Sequence, residues 1–386
     1  MGSTPRAVVA PAPPVESRIV QRVIERADEW FPGVGARPLV TLRRLAERPR
    51  AVLYVVDVGE GTDRRTLVLA KVRRGWSGAA EQEGARPRLS PDLLPASEQT
   101  ALEFAGLTTI HEMFGDGDPH FGAVRPLDHL AGDDTILMDY VDAPTLRAVL
   151  ARSHRLSAQR RRPPHHRGED AWRRAGTWLR SFQERMPGDG LPARQASRDD
   201  IVDRFDAFGS FLAGRLGARA AGDAARAGAR LAADVLPERL PLAVGHGDYA
   251  PRNVFLTRDG RLTVFDPLFR WRVPRHEDLS RFLVAARLQA VQVHTRGLAY
   301  GAAGLDRRER AIIEGYCGGS DEPRALRLAE LRCLQLLITL DRWSALVDSP
   351  SRGWHARMRK ASVHGASDCF REETGRLLRL IERDPG

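Results

Sequence analysis

His246-Gly247-Asp248-Tyr249-Ala250-Pro251-Arg252-Asn253, followed by Asp266 in Leu262-Thr263-Val264-Phe265-Asp266-Pro267, decides the fold of this 386-residue chain. It reads as a loop leading at once into a hairpin, with strands over 254–257 and 262–265 around an Arg258-Asp259-Gly260 turn. That order brings the oxygen-bearing side chains of residues 248, 253 and 266 to one edge. Three such groups suit phosphoryl transfer. One carboxylate holds and partly deprotonates an attacking hydroxyl, while an amide and a second carboxylate hold Mg2+, which prefers hard oxygen ligands. The spacing HxDxxxxN is common by chance, so its setting has to support the reading.

Upstream lie three strand-like runs, over 38–45, 51–58 and 66–72, separated by Glu47-Arg48-Pro49-Arg50 and by the Gly-rich turn at 59–63. A helix over 15–30 precedes them, with Ile19, Val23, Ile24 and Ala27 near helical spacing. Residues 73–95, rich in Gly, Pro and Arg, read as an exposed loop. A helix over 97–114 follows, then strands over 123–129 and 135–141 flanking a Gly132-Asp133-Asp134 turn. From there the pattern is mostly helical, with helices expected over 145–153, 171–185, 198–216, 220–235, 276–290, 308–317, 324–346 and 367–382. Between the first two of these, residues 160–167 form a basic, proline-interrupted loop; its His165 and His166 lack a third ligand for a metal.

The expected fold class is therefore α+β. A five-stranded front half with one main helix precedes a mostly helical back half, with a ligand cleft between the two lobes. The expected organisation is a flexible tail over 1–15, a first lobe over 16–141 and a helical lobe over 142–386.

Composition narrows the function classes. The 42% hydrophobic content supports packed cores. The cysteines, Cys317, Cys333 and Cys369, show no paired spacing, which argues against a disulfide framework or structural zinc and fits a reducing compartment. No run approaches the roughly 20 apolar residues that span a bilayer, and the first 18 residues lack the apolar core of a cleaved signal. A cytoplasmic protein is expected. The net charge is +10, but of 60 basic residues only Lys71 and Lys360 are lysines, leaving 60 − 2 = 58 arginines spread along the chain. Aromatics do not interleave with the basic runs, so nucleic-acid binding is not expected. In such a chain a lysine kept inside a β-run, as Lys71 is, marks a place where a compact ammonium is needed and a planar guanidinium will not serve.

His246 to Asn253 resembles the catalytic loop of the aminoglycoside phosphotransferases, a branch of the protein-kinase-like superfamily that also includes choline kinases; Val264-Phe265-Asp266 is similar to that family's metal-binding strand end. The resemblance spans residues 40–285 and rests on an ordered set: strand lysine, helix glutamate, hinge, HxDxxxxN, strand-end aspartate and a downstream Glu-Asp. It implies the bilobal kinase fold, with a five-stranded antiparallel N-lobe carrying the nucleotide site and a C-lobe carrying the catalytic loop and acceptor site. It implies Asp248 as catalytic base, His246 supporting the loop, and Asn253 and Asp266 as Mg2+ ligands. Lys71 would contact the nucleotide phosphates, paired with an acid on the first N-lobe helix: Glu98, with Glu103 next in line. Leu137 with Met138, Asp139, Tyr140 and Val141 would form the hinge that takes the base of ATP or GTP, and Asp278 would brace the catalytic loop.

The family's reaction moves a γ-phosphoryl group to a hydroxyl of a small molecule such as a sugar, amino sugar or natural product. Nothing like GxGxxG lies between the first two strands, where the chain reads Ala46-Glu47-Arg48-Pro49-Arg50-Ala51; that points away from protein kinases. No GxxxxGK[ST] occurs, which removes the P-loop class. A catalytically silent nucleotide-binding scaffold is the alternative. Asp199, Asp203 and Asp206 share one face of a predicted helix and would suit a cationic acceptor, although the basic balance favours a neutral or anionic one.

Overall fold

The computed structural model describes residues 14–34, 38–60, 63–75, 86–90, 94–115, 117–152, 165–216, 219–289, 292–293, 300–318, 324–348 and 355–383. The chain divides into two compact units: residues 1–77, 94–104 and 124–140, and residues 78–93, 105–123 and 141–386. All but the last two residues of the expected tail over 1–15 lie outside the described residues. So does most of the loops at 73–95 and 153–164.

The first unit is a sheet with a helix. Helix α1 (Val15–Trp30) buries Ile19, Val23, Ala27 and Trp30, a stripe at helical spacing, and packs on β1 (Leu39–Arg48). Pro14 precedes α1, where its missing N–H costs nothing, and its carbonyl accepts from the Ser17 and Arg18 amides. The two-residue connection Pro49-Arg50 folds β1 onto β2 (Ala51–Glu60), with Arg48 opposite Ala51 and Leu39 opposite Gly59. Strand β3 (Asp63–Arg73) continues the sheet and pairs with β6 (Thr135–Asp139), which pairs with β5 (Pro126–Leu130). The result is a five-stranded antiparallel sheet in the order β1-β2-β3-β6-β5, as expected. Its core joins the α1 stripe to Val52, Val56, Val58, Val68 and Leu137.

The strand expected over 123–129 is split. Pro126 has no N–H to donate, so the ladder breaks before it. Residues upstream form β4 (Phe121–Ala123), which belongs to the second unit and pairs in parallel with β9 (Leu262–Val264). Helix α2 (Ala96–Phe114) likewise runs from the first unit into the second, changing over between Phe104 and Ala105.

The second unit is mostly helical. Its helices are α3 (Leu146–Arg152), α4 (His165–Arg185), α5 (Arg198–Leu216), α6 (Arg219–Val235), α7 (Glu277–Arg287), α8 (Ala302–Cys317), α9 (Arg324–Asp348) and α10 (His355–Arg383). Helix α4 begins at His165, six residues earlier than expected, so His165 and His166 are helical. One core gathers Trp172, Trp178, Phe182, Tyr249 and Phe282; a second joins α5, α6 and α9 through Phe205, Phe208, Ala225, Ala232, Leu337 and Trp343. Helices α4 and α8 approach through glycines: a Cβ on Gly176 would meet the Ile312 carbonyl at 2.0 Å, and one on Gly315 the Arg173 carbonyl at 1.8 Å. Part of the expected exposed loop is buried instead. Leu89 enters the second core, and Arg86 pairs with Asp341 at 2.8 Å. The expected hairpin forms from β8 (Val254–Leu256) and β9, with β4 on its other edge. A two-stranded sheet of β7 (Leu242–Val244) and β10 (Arg272–Pro274) was not expected.

Candidate active site

The loop at 246–253 is tied down from three sides. On α7, Asp278 accepts the His246 backbone N–H at 2.6 Å and also the Gly247 N–H. It is fully buried, and burial raises its carboxyl to about 6, against the pull of those two amides. The His246 carbonyl accepts from Leu268 at 2.8 Å, and the Asn253 carbonyl from Phe265 at 3.1 Å, so the residues flanking Asp266 are stitched to both ends of the loop. The Pro251 carbonyl accepts from Arg147 on α3 at 2.9 Å. Gly247 has φ +83° and lies so close to Leu268 that a Cβ would meet that carbonyl at 2.7 Å; only glycine fits.

Within this frame Asn253 donates through Nδ2 to the Asp248 carbonyl at 2.8 Å and to Asp248 Oδ2 at 2.9 Å. Arg252 pairs with the other oxygen of the same carboxylate. Asp248 stays about one-third exposed and can reach solvent or a ligand. Asp266 sits at φ +67°, a left-handed conformation that is costly for most side chains but tolerated by aspartate. Such backbone is kept where the surrounding structure demands it, often at a functional site. The structure thus brings residues 248, 253 and 266 together around one loop. The amide oxygen of Asn253 and the Asp266 carboxylate are hard oxygen donors, the chemistry that Mg2+ prefers. Among the described residues no group of three or more His, Cys, Asp or Glu could hold a metal, so phosphate and water oxygens would have to complete the shell.

His246 supports the loop from inside. Its ring is fully buried among Trp178, Phe182, Tyr249 and Phe269, at centroid distances of 5.7 to 6.3 Å, and neither ring nitrogen has a hydrogen-bond partner. Burial lowers the imidazole to about 3, so it is neutral and out of reach of any substrate. Tyr249 donates its hydroxyl to the Ala175 carbonyl at 2.7 Å, anchoring the loop on α4.

In the first unit, Lys71 on β3 reaches Glu103 on α2: Nζ lies 2.5 Å from Oε1, and both side chains are buried. The other Glu103 oxygen accepts from Arg73. Glu98, the acid expected as the partner, is corrected to Glu103. It lies five residues earlier, roughly 140° around the helix, and is exposed. The signal for Glu103 was present in the sequence. Thr100, Glu103, Leu107, Ile110 and Phe114 form one buried stripe, and an acid on such a stripe needs a partner.

The other expected residues are placed as follows. Met138 is buried in β6, Asp139 forms a two-pronged ion pair with Arg125 at 3.1 Å, and the Tyr140 amide donates to the Leu67 carbonyl at 2.8 Å. The chain passes from the first unit to the second between Tyr140 and Val141. Asp199, Asp203 and Asp206 are exposed on α5, opposite its buried Ile201, Phe205 and Phe208, and no hydrogen bond or ion pair joins them to the loop. Sequence reasoning missed Arg252 and Arg73. In a chain with 58 arginines, residue type alone could not single them out.

No family model matches the sequence, and no curated protein matches it either. Solved structures do. A choline/ethanolamine kinase family protein from Mesorhizobium loti is 15% identical, with 95% of this chain and 99% of that one covered and a TM-score of 0.50. The complex of APH(2″)-IIia with GDP and kanamycin is 11% identical over 92% of this chain and 99% of that one, with a TM-score of 0.52. At these identities the likeness is one of fold. The chain has the α+β, bilobal, kinase-like fold seen in the choline kinases and aminoglycoside phosphotransferases.

Proposed function

We propose that this protein transfers the γ-phosphoryl group of ATP or GTP to a hydroxyl of a small molecule. The observation that carries the reading is the locked pair of Asp248 and Asn253, stitched through backbone bonds to a strained Asp266. The two structures of like fold are both of small-molecule kinase families, which supports it.

In this reading residues 16–141 bind the nucleotide, with the hinge at Met138 to Val141 taking the base, and residues 142–386 supply the catalytic loop and acceptor site. Asp248 accepts the acceptor's proton at its carboxylate and aims the resulting oxygen in line at the phosphorus. Asn253, through its Nδ2–H bonds, and Arg252 fix the rotamer of that carboxylate. Lys71, oriented by Glu103, holds the phosphates. A Mg2+ ion at Asn253 and Asp266 would supply charge neutralisation for the phosphates.

Replacing Asp248 with Ala is expected to lower turnover by about 10²–10⁴-fold with nucleotide affinity largely intact. Asp266→Ala should weaken Mg-nucleotide binding as well. Nucleotide titration together with phosphorylation assays on both variants decides it; a fully active Asp248→Ala protein overturns the reading.

A further inference from the structure

Residues 86–90 lie in the connection between β3 and α2 and belong to the second unit. They are fastened to it at both ends. Arg86 pairs with Asp341 at 2.8 Å and donates to the Ser344 hydroxyl at 3.1 Å. Leu89 is buried, and its carbonyl accepts from Arg194 and Gln195. Ser90 is exposed instead, and its hydroxyl oxygen accepts from two guanidiniums, Arg194 Nη1 at 3.2 Å and Arg281 Nη2 at 3.3 Å.

The two arginines come from different places, Arg194 from the loop ahead of α5 and Arg281 from α7, and their side chains are only 12% and 15% exposed. Both rest on one carboxylate oxygen. Glu277 Oε1 lies 2.6 Å from Arg194 Nη2, and 2.9 and 2.8 Å from Arg281 Nε and Nη2. Glu277 is itself buried, so it fixes where each fork points.

A hydroxyl is a modest partner for such a pair. It is neutral, whereas two guanidinium forks present donors that match the oxygens of a phosphate, with bonds roughly twice as strong. The hydroxyl is also accessible, on backbone that is neither helix nor strand. Its setting, Arg86-Pro87-Arg88-Leu89-Ser90-Pro91, places arginines four and two positions upstream, and protein kinases read such charge patterns. We propose that Ser90 is a phosphorylation site whose phosphate is received by Arg194 and Arg281, clamping residues 86–90 onto the second unit. The phosphoryl group comes from ATP through a protein kinase. The bond from Ser90 Oγ to phosphorus forms, and the bond from phosphorus to the β,γ-bridging oxygen breaks. ADP leaves with that oxygen, and the hydroxyl proton passes to the base of the kinase. Glu277 opposes the new charge, but two cations touch the Ser90 oxygen and attraction to both outweighs repulsion from one carboxylate. The other acids nearby are engaged, Asp341 with Arg86 and Asp278 with the amides of His246 and Gly247. The site stands whether or not the chain is itself a phosphotransferase.

The test uses the full chain with phosphoserine encoded at position 90. Phosphorus NMR follows the second ionisation of the phosphate, which lies at about 6 when nothing holds it. Two guanidiniums favour the dianion, so the midpoint should fall by about 1 pH unit or more. Arg194→Gln and Arg281→Gln should each return part of that shift while leaving the other arginine on Glu277. A midpoint at the ordinary value, or above it, in the chain with both arginines overturns the proposal whatever the variants do. Hydrogen exchange at residues 86–90 should slow by about tenfold or more in the phosphorylated chain; unchanged or faster exchange there overturns the clamp. Mass spectrometry of the chain isolated from its native cells should place a phosphoryl group on Ser90. Finding Ser90 unmodified overturns the proposal; if inorganic phosphate then slows exchange at 86–90 in Ser90→Ala as well as in the parent, the two arginines serve a diffusible phosphate instead.

Discussion

Two buried ionisable residues behave in ways that measurements at the bench can separate. His246 is held neutral, its folded value near 3 lying below its ordinary 6.5. A depressed imidazole stabilises the fold fully above pH 6.5, and that contribution drains away as pH falls toward 3, by up to about 1.4 kcal/mol per pH unit. Asp278 runs the other way. Its folded value, about 6, lies above the ordinary 3.8, so protonation favours the fold as pH falls through that window. The two partly cancel in the parent protein. In His246→Phe, whose ring suits the surrounding aromatic box, only the aspartate trend remains. Urea midpoints at pH 7.5, 6 and 5 should therefore show the variant gaining on the parent as pH drops; a difference that does not change with pH would refute the neutral imidazole. The Lys71 partner is open to a similar contrast. Glu103→Ala leaves two buried cations without their shared carboxylate and should cost about 3–5 kcal/mol, with nucleotide affinity lost alongside. Glu98→Ala, on the exposed turn, should stay within about 0.5 kcal/mol. Equal responses in denaturation would undo the correction from Glu98 to Glu103. Asp248, Asn253, Asp266 and Asp278 stood out in the sequence through the order of the motif and its resemblance to a known loop. Arg252 did not, since its meaning lies in the carboxylate it pairs with.

Among the elements, what could be read followed length. Helices α1, α2 and α5 and strands β2 and β3 carry enough periods of burial to be placed within a few residues. The three-residue strands β4, β7 and β10 hold less than two periods, so no alternation can identify them. β4 was hidden further by joining, in sequence, a run whose other end lies in a different sheet. Helix packing adds a constraint that the sequence shows only as scattered glycines. At the α4–α8 crossing the backbones meet where Gly176 and Gly315 have no side chains. Alanine is the better helix former by about 1 kcal/mol, yet Gly176→Ala must push two helices apart. A net loss of about 1–3 kcal/mol is expected in urea unfolding. Gly214 on α5 is the control, because a Cβ added there would meet nothing within 4 Å; at that position Ala should raise stability by up to about 1 kcal/mol. If both substitutions stabilise, the close approach of α4 and α8 is wrong.

At the scale of the whole chain, α+β class and the split into a sheet-bearing front and a helical back followed from the order of periodic segments, and 60 basic against 50 acidic residues leave a formal charge of +10. That excess is a property of neither unit's fold, but it acts on every ligand that approaches. A field of this kind speeds the arrival of anions and slows that of cations, and salt removes both effects once the Debye length, about 10 Å at 0.1 M, falls below the distances involved. The nucleotide is itself an anion, so its association should slow several-fold between about 20 and 300 mM KCl. Dissociation rates report contacts already formed, such as that at Lys71, and should change less than association rates over the same range. Stopped-flow association across the salt series makes the distinction. Salt-independent arrival of the nucleotide would mean that the charges of this chain balance locally, and that no long-range field steers anions to it.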